Sequence, residues 1–219
     1  MQISSLIDEL EDAIASGSPE KRLNSLWRVI DLFMDGASRY SDEQVALFDD
    51  VILRLAAEIE AKAKAKLSQR LGPVANAPVK VIRSLAFDDD SAVAVPVITQ
   101  SARLNDQDLV AVASTKGQAH LNAIASRTSL SAAVTDVLID RGDQQVVRSV
   151  AKNAGARFSD AGFGKLVARA HSDETLAIRV GVRPDIPRHH FLKLLETASA
   201  SVSPPGCFMR TTMSRKRPS

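Results

Sequence analysis

A recurring spacing is what most limits how this chain can fold. From Pro78 onward, apolar residues fall at helical intervals in short blocks, and the blocks themselves recur. Leu109, Val112 and Ala113 form one block, and Val134, Val137 and Leu138 form the next. Phe163, Leu166 and Val167 follow, then Phe191, Leu194 and Leu195. The matching positions Val112, Val137, Val167 and Leu195 are separated by 25, 30 and 28 residues. A second series, Val93, Leu121, Val147 and Ala177, advances by 28, 26 and 30. Two helical series moving together predict a helical hairpin repeated every 25 to 30 residues. One such hairpin cannot bury its apolar face alone, whereas stacked neighbours share a continuous core. The expected fold class is therefore all-α, an α-α superhelix.

The breaks between blocks carry matching turn chemistry. Asp106, Ser129, Asp143, Ser159 and Asp173 each precede an apolar-periodic run and are expected as N-caps. Gly142 and Gly155 stand where a helix end favours a left-handed residue. Pro96 falls inside the run "SAVAVPVITQSA", which predicts a kink.

The N-terminal third reads as longer helices. Ser5 opens a first helix with Leu6, Leu10 and Ile14 on one face, closed by Gly17. Ser18 and Pro19 start a second, which carries Leu23, Leu26, Trp27, Ile30, Phe33 and Met34 and stops at Gly36. Ser41 with Gln44 makes a capping box. The helix it opens is expected to run to "LGP" at 71 to 73 along the stripe Val45, Phe48, Ile52, Leu55 and Ile59. Its "AKAKAK" run is expected as a solvated face, with Glu58–Lys62 and Glu60–Lys64 pairs one turn apart. The expected organisation is one helical-repeat domain over 1–202, with longer helices over 1–72, short hairpins over 78–202, and a disordered tail at 203–219.

Composition excludes several function classes. No apolar run approaches the roughly 18 residues of a membrane span. The opening "MQISSLIDELED" is acidic and amphipathic, unlike a signal peptide. A single cysteine, Cys207, cannot form an internal disulfide, which suits a reducing cytoplasm. The net charge of +2 hides an imbalance: Arg210, Arg215, Lys216 and Arg217 lie after Ser203 without an acid, and removing those four cations leaves −2 for the body. A slightly acidic body argues against a broad nucleic-acid surface. The expected partner is a protein, with no membrane and no cofactor.

At "LAFDDDSAVAVPVI", "AHLNAIASR", "LSAAVTDVLIDRGD" and "GARFSDAGFGKLVARA" the chain resembles the bacterial domain-of-unknown-function family 2336, over roughly residues 3 to 200. The resemblance implies a HEAT-like helical fold and no assigned activity. It supplies no catalytic residues to carry over. The family continues with charged helical sequence, whereas this chain switches at about Ser203 to "SPPGCFMRTTMSRKRPS".

The candidate binding residues are Arg148, Lys152, Asn153, Arg179 and Arg183. Arg148 and Lys152 lie one helical turn apart, as do Arg179 and Arg183, so each pair could grip an acidic partner from the second helix of a hairpin. The competing expectation is a solvated helix face with cations near the C-terminal end, where the helix dipole favours them. A 30-residue step maps Arg148 to Ile178 and Lys152 to Val182, so the cations do not repeat in register.

The cluster "FDDDSA" at 87 to 92 is expected as the acidic N-terminus of a helix rather than a cation site. In "RHHFLK", His190 and Lys193 have a spacing that resembles the phospho-accepting helix of histidine phosphotransfer modules, although Leu194 stands where those motifs place a glycine. The expected function is a non-enzymatic helical-repeat scaffold that mediates protein-protein interaction, and a signalling adaptor or phosphotransfer protein using His190 is the alternative. Neighbouring histidines point about 100° apart on a helix, which sets His189 and His190 against sharing one metal. The simpler expectation for His190 is a surface position near a helix start. "GFGK" at 162 to 165 lacks the remaining residues of a phosphate loop. No catalytic, cofactor-binding or metal-ligating residue is assigned.

Overall fold

The computed structural model describes residues 18–57 and 59–200. Twelve helices fill these residues: α1 (Pro19–Gly36), α2 (Asp42–Ala56), α3 (Ala61–Leu71), α4 (Val79–Ala86), α5 (Ser91–Gln100), α6 (Asp106–Thr115), α7 (Gln118–Ala125), α8 (Ala132–Arg141), α9 (Gln144–Lys152), α10 (Asp160–Ala170), α11 (Glu174–Gly181) and α12 (Arg188–Ala200). Among the described residues the β-structure is one isolated parallel bridge between Leu130 and Ala156. The expected helix over residues 5–17 and the tail at 203–219 lie outside the described residues.

The hairpins are α4/α5, α6/α7, α8/α9 and α10/α11, and α12 follows as a further first helix. First helices begin at residues 79, 106, 132, 160 and 188, steps of 27, 26, 28 and 28. From α6 onward they stack in one row, α6 on α8, α8 on α10 and α10 on α12. Second helices form the other row, α5 on α7, α7 on α9 and α9 on α11. The chain is an all-α superhelix, as the spacing predicts.

The core lies between the rows. Val147 and Ala151 of α9 join Phe163, Leu166, Val167 and Val180 of the following hairpin. Val146 and Val150 of the same helix join Leu121, Ile124, Val134 and Leu138. All four α9 side chains are at least 98% buried. Each such Val withdrawn from water contributes about 1.5–3 kcal/mol, which is why one short helix can bind two hairpins together.

The capping box at Ser41 forms in both directions: Ser41 Oγ accepts from the Gln44 N–H, and Gln44 Oε1 accepts from the Ser41 N–H. The helix it opens does not reach residue 71. It ends at Ala56, and α3 begins at Ala61 after an extended Glu60. The break has a packing reason. α2 packs on α1 and α4, whereas α3 packs on α5, so the chain must change rows. Lys64 consequently pairs with Asp88 at 3.3 Å rather than with Glu60.

Asp143, Ser159 and Asp173 cap their helices as expected, each accepting from a backbone N–H in the first turn. Two caps shift. Asn105, not Asp106, caps α6, in a reciprocal box with Asp108. Ser131, not Ser129, precedes α8, because Leu130 is held extended in the bridge to Ala156. Pro78 stands at the start of α4 without a side-chain oxygen, and Asp49 of α2 supplies the cap instead. It accepts from the Lys80 and Val81 N–H groups, both at 2.8 Å.

Neither Gly142 nor Gly155 is left-handed. Gly142 has φ −68° and ψ 142°. Gly155 is required by a close approach: the Thr128 carbonyl oxygen occupies the space a Cβ would need. Phe191 and Leu195, expected in the core, are 37% and 50% exposed; Leu194 carries the inward face of α12.

Candidate functional site

Helix ends explain two of the candidate binding residues, Asn153 and Arg183. The last four carbonyls of an α-helix lack intrahelical donors and carry the negative end of its dipole. In the row of second helices, a side chain from the next hairpin meets the ends of α5, α7 and α9. Arg127, just past α7, donates to the carbonyls of Ile98 and Ser101 at the end of α5. Asn153, just past α9, donates to Ala125 O at 3.0 Å and Arg127 O at 2.6 Å at the end of α7. Arg183, past α11, donates to Ala151 O at 3.1 Å, Asn153 O at 2.8 Å and Ala156 O at 2.8 Å. The first-helix row does the same: Arg141 binds Ala113 O at the end of α6, and Arg169 binds Ile139 O and Gly142 O at the end of α8.

Each capping group is held in place. Asn153 Oδ1 accepts from the Gly155 N–H at 2.9 Å. Arg183 forks onto Asp185 at 2.8 and 2.9 Å and lies over the Phe158 ring, 4.6 Å from its centroid. Burial holds the Arg127 guanidinium below its ordinary pKa.

Arg148 and Arg179 join the same pair of hairpins. Arg148 of α9 binds both oxygens of Asp173, with Nε–Oδ2 and Nη2–Oδ1 distances of 2.8 Å. Asp173 also accepts from the Leu176 N–H at 3.0 Å, so one carboxylate caps α11 and ties it to α9. The Arg148 guanidinium is the main reason the Asp173 carboxyl is lowered to about 2. Arg179 of α11 returns the link by donating to Arg148 O at 2.7 Å.

Lys152 differs from the other four. It is exposed and makes no hydrogen bond or ion pair among the described residues. With Arg179, Val182, Pro184 and Asp185 it lines a groove between the C-terminal ends of α9 and α11. Val182 in that lining is 76% exposed, and Ile178, one turn earlier on α11, is 60% exposed.

The histidine pair lies on the other row. Asp160 opens α10, and His189 and His190 are in the first turn of α12. Both imidazoles reach the same carboxylate oxygen: Nε2 of His189 is 3.1 Å and Nε2 of His190 is 3.0 Å from Asp160 Oδ1. The helical angle between neighbouring positions does not keep the two rings apart; their centroids are 4.0 Å from each other. His190 is also buried, at 8% exposure, rather than on the surface. Its ring stacks on Phe163. Lys193, the second residue of the phosphotransfer spacing, is exposed.

The aspartate cluster is an acidic helix start. Asp90 caps α5 through the Ala92 N–H, Asp88 pairs with Lys64, and Asp89 pairs with Lys116.

Residues 93–203 match the model of domain-of-unknown-function family 2336, described as an uncharacterised protein conserved in bacteria. The chain belongs to this family. The family 2336 match begins inside α5 and runs through α12, so it covers the hairpins from α6 onward and both clusters above. Comparison with curated proteins and with solved structures returned no match.

Sequence reasoning overlooked Arg127, Arg141, Arg169 and Asp160. The 26- and 30-residue steps joining 127, 153 and 183 were the available signal, but Asn in place of Arg at 153 conceals it. Asp160 carried none, because contact across 29 residues is not a local pattern.

Proposed function

We propose that this family 2336 chain is a non-enzymatic helical-repeat scaffold that binds another protein through the outer face of α11. The observation that carries this reading is the exposed pair Ile178 and Val182 beside the free cation of Lys152. On α9 the positions in the same register are Arg148 and Lys152, and Arg148 is engaged with the next hairpin. Ile178 and Val182 therefore lie on the side of α11 where another second helix would stack. Two apolar side chains one turn apart are the usual anchor for a partner helix, and Lys152 favours a carboxylate at its edge.

The reading is tested by a photocrosslinking residue placed at Val182 in bacterial cells. A discrete protein adduct is expected, weakened by Ile178→Asp and by Lys152→Glu. The absence of any adduct above that from a crosslinker at the exposed Lys165 would contradict it.

A further inference from the structure

We propose that Asp160, His189 and His190 form a three-ligand site for one divalent transition-metal ion of the zinc type. Their ligand atoms lie within 4.8 Å of one another, and this is the one such group among the described residues. Tetrahedral zinc with bonds of about 2.0–2.1 Å separates neighbouring ligand atoms by about 3.3 Å. The two imidazole nitrogens lie 3.1 and 3.0 Å from Asp160 Oδ1, close to that spacing on two of the three edges of the site. Two imidazoles with one carboxylate suit zinc, nickel, cobalt or iron rather than calcium, which takes oxygen ligands.

The surroundings suit the role. Ser159 fixes the start of α10, with Oγ accepting from the Gly162 N–H at 2.9 Å and donating to Asp136 Oδ1 at 2.8 Å. His190 is held between the Phe163 ring and the Cα side of Gly164, where a Cβ would already lie 3.4 Å from its Cε1. Asp160 and His189 face solvent, with side chains 72% and 64% exposed, which gives an ion its entry path. Three protein ligands leave at least one position for water. Ligands from the starts of α10 and α12 make the ion a clasp that fastens α12 to the preceding hairpin. Binding a folded arrangement and not the unfolded chain raises stability.

The test is calorimetric titration of the metal-free full chain with zinc chloride, paired with a melting curve and the visible spectrum of the cobalt complex. One ion per chain, a higher melting temperature and cobalt d–d bands are expected. His189→Ala and Asp160→Asn should each weaken binding at least tenfold. Both residues are exposed, so their variants keep the fold; His190→Ala is a supporting variant, because it also removes packing against Phe163. No binding by the wild-type chain overturns the proposal. So does wild-type affinity in both His189→Ala and Asp160→Asn, which would put the ion elsewhere, for instance on Cys207.

Discussion

Arg183 donates to the carbonyl oxygen of Asn153 at 2.8 Å. Asn153 donates in turn to the carbonyl of Arg127 at 2.6 Å, and Arg127 to that of Ser101 at 3.0 Å. Each bond spans two hairpins, and together they run along one row of the superhelix. A helix end in this protein is completed by the following repeat. Short helices of two to three turns are marginal by themselves. Capping from a neighbour makes each hairpin depend on the next.

Replacing Arg127 by Met keeps much of the side-chain bulk and removes the donors. The carbonyls of Ile98 and Ser101 would then lack their partner. A buried acceptor left unsatisfied costs about 1–3 kcal/mol. We expect Arg127→Met to lower the urea-unfolding free energy by about 2 kcal/mol. A loss under about 0.5 kcal/mol would show the cap to be dispensable.

Asp173 gives the protein a pH signature. Its carboxyl sits at about 2 in the fold, below its ordinary value of 3.8, chiefly because of Arg148. A lowered folded-state pKa adds stability at pH values above the ordinary one. That stability is lost as pH falls toward about 2. At pH 7 Asp173→Ala should cost about 2 kcal/mol, combining a lost N-cap with a lost ion pair. The gap to the wild-type chain should narrow between pH 4 and pH 2. A gap that stays constant over that range would exclude the carboxylate as its source.

Val150 has no exposure and packs with the earlier hairpins, while its neighbour Val147 packs with the later one. Val150→Asp places an unpaired charge between them and should cost on the order of 3 kcal/mol or more. Circular dichroism melting measures it. An unchanged melting temperature would mean that α9 presents a different face.

Gly155→Ala tests the close approach at the bridge. The methyl group meets the Thr128 carbonyl, and the Leu130–Ala156 bridge must open to make room. Overpacking of this kind costs about 1–3 kcal/mol. A neutral substitution would mean that the loop at 128–130 yields freely.

The superhelix and its stripes were legible in the sequence because apolar periodicity reports burial directly. Val112, Val134, Leu166 and Val147 all lie where the spacing puts them. The break after Ala56 was not legible, since the stripe continues to Ile59 and only the change of row demands a turn. The candidate cations were visible as residues, but the partners they bind were not. Arg148 finds Asp173 25 positions away, and Arg183 finds carbonyls 27 to 32 positions away. No local spacing encodes such partners. Asp160 joined the histidines for the same reason, through the stacking of α12 on α10.

The roles divide: Arg183 ties neighbouring hairpins together, whereas Lys152 is the cation proposed to meet a partner. Equilibrium unfolding of Arg183→Ala beside Lys152→Ala tests this division most directly. Arg183→Ala removes donors from three carbonyls and should cost at least about 2 kcal/mol. Lys152→Ala should stay within about 0.5 kcal/mol of the wild-type chain, as exposed substitutions do. Equal losses in the two variants, or no loss in either, would contradict the account.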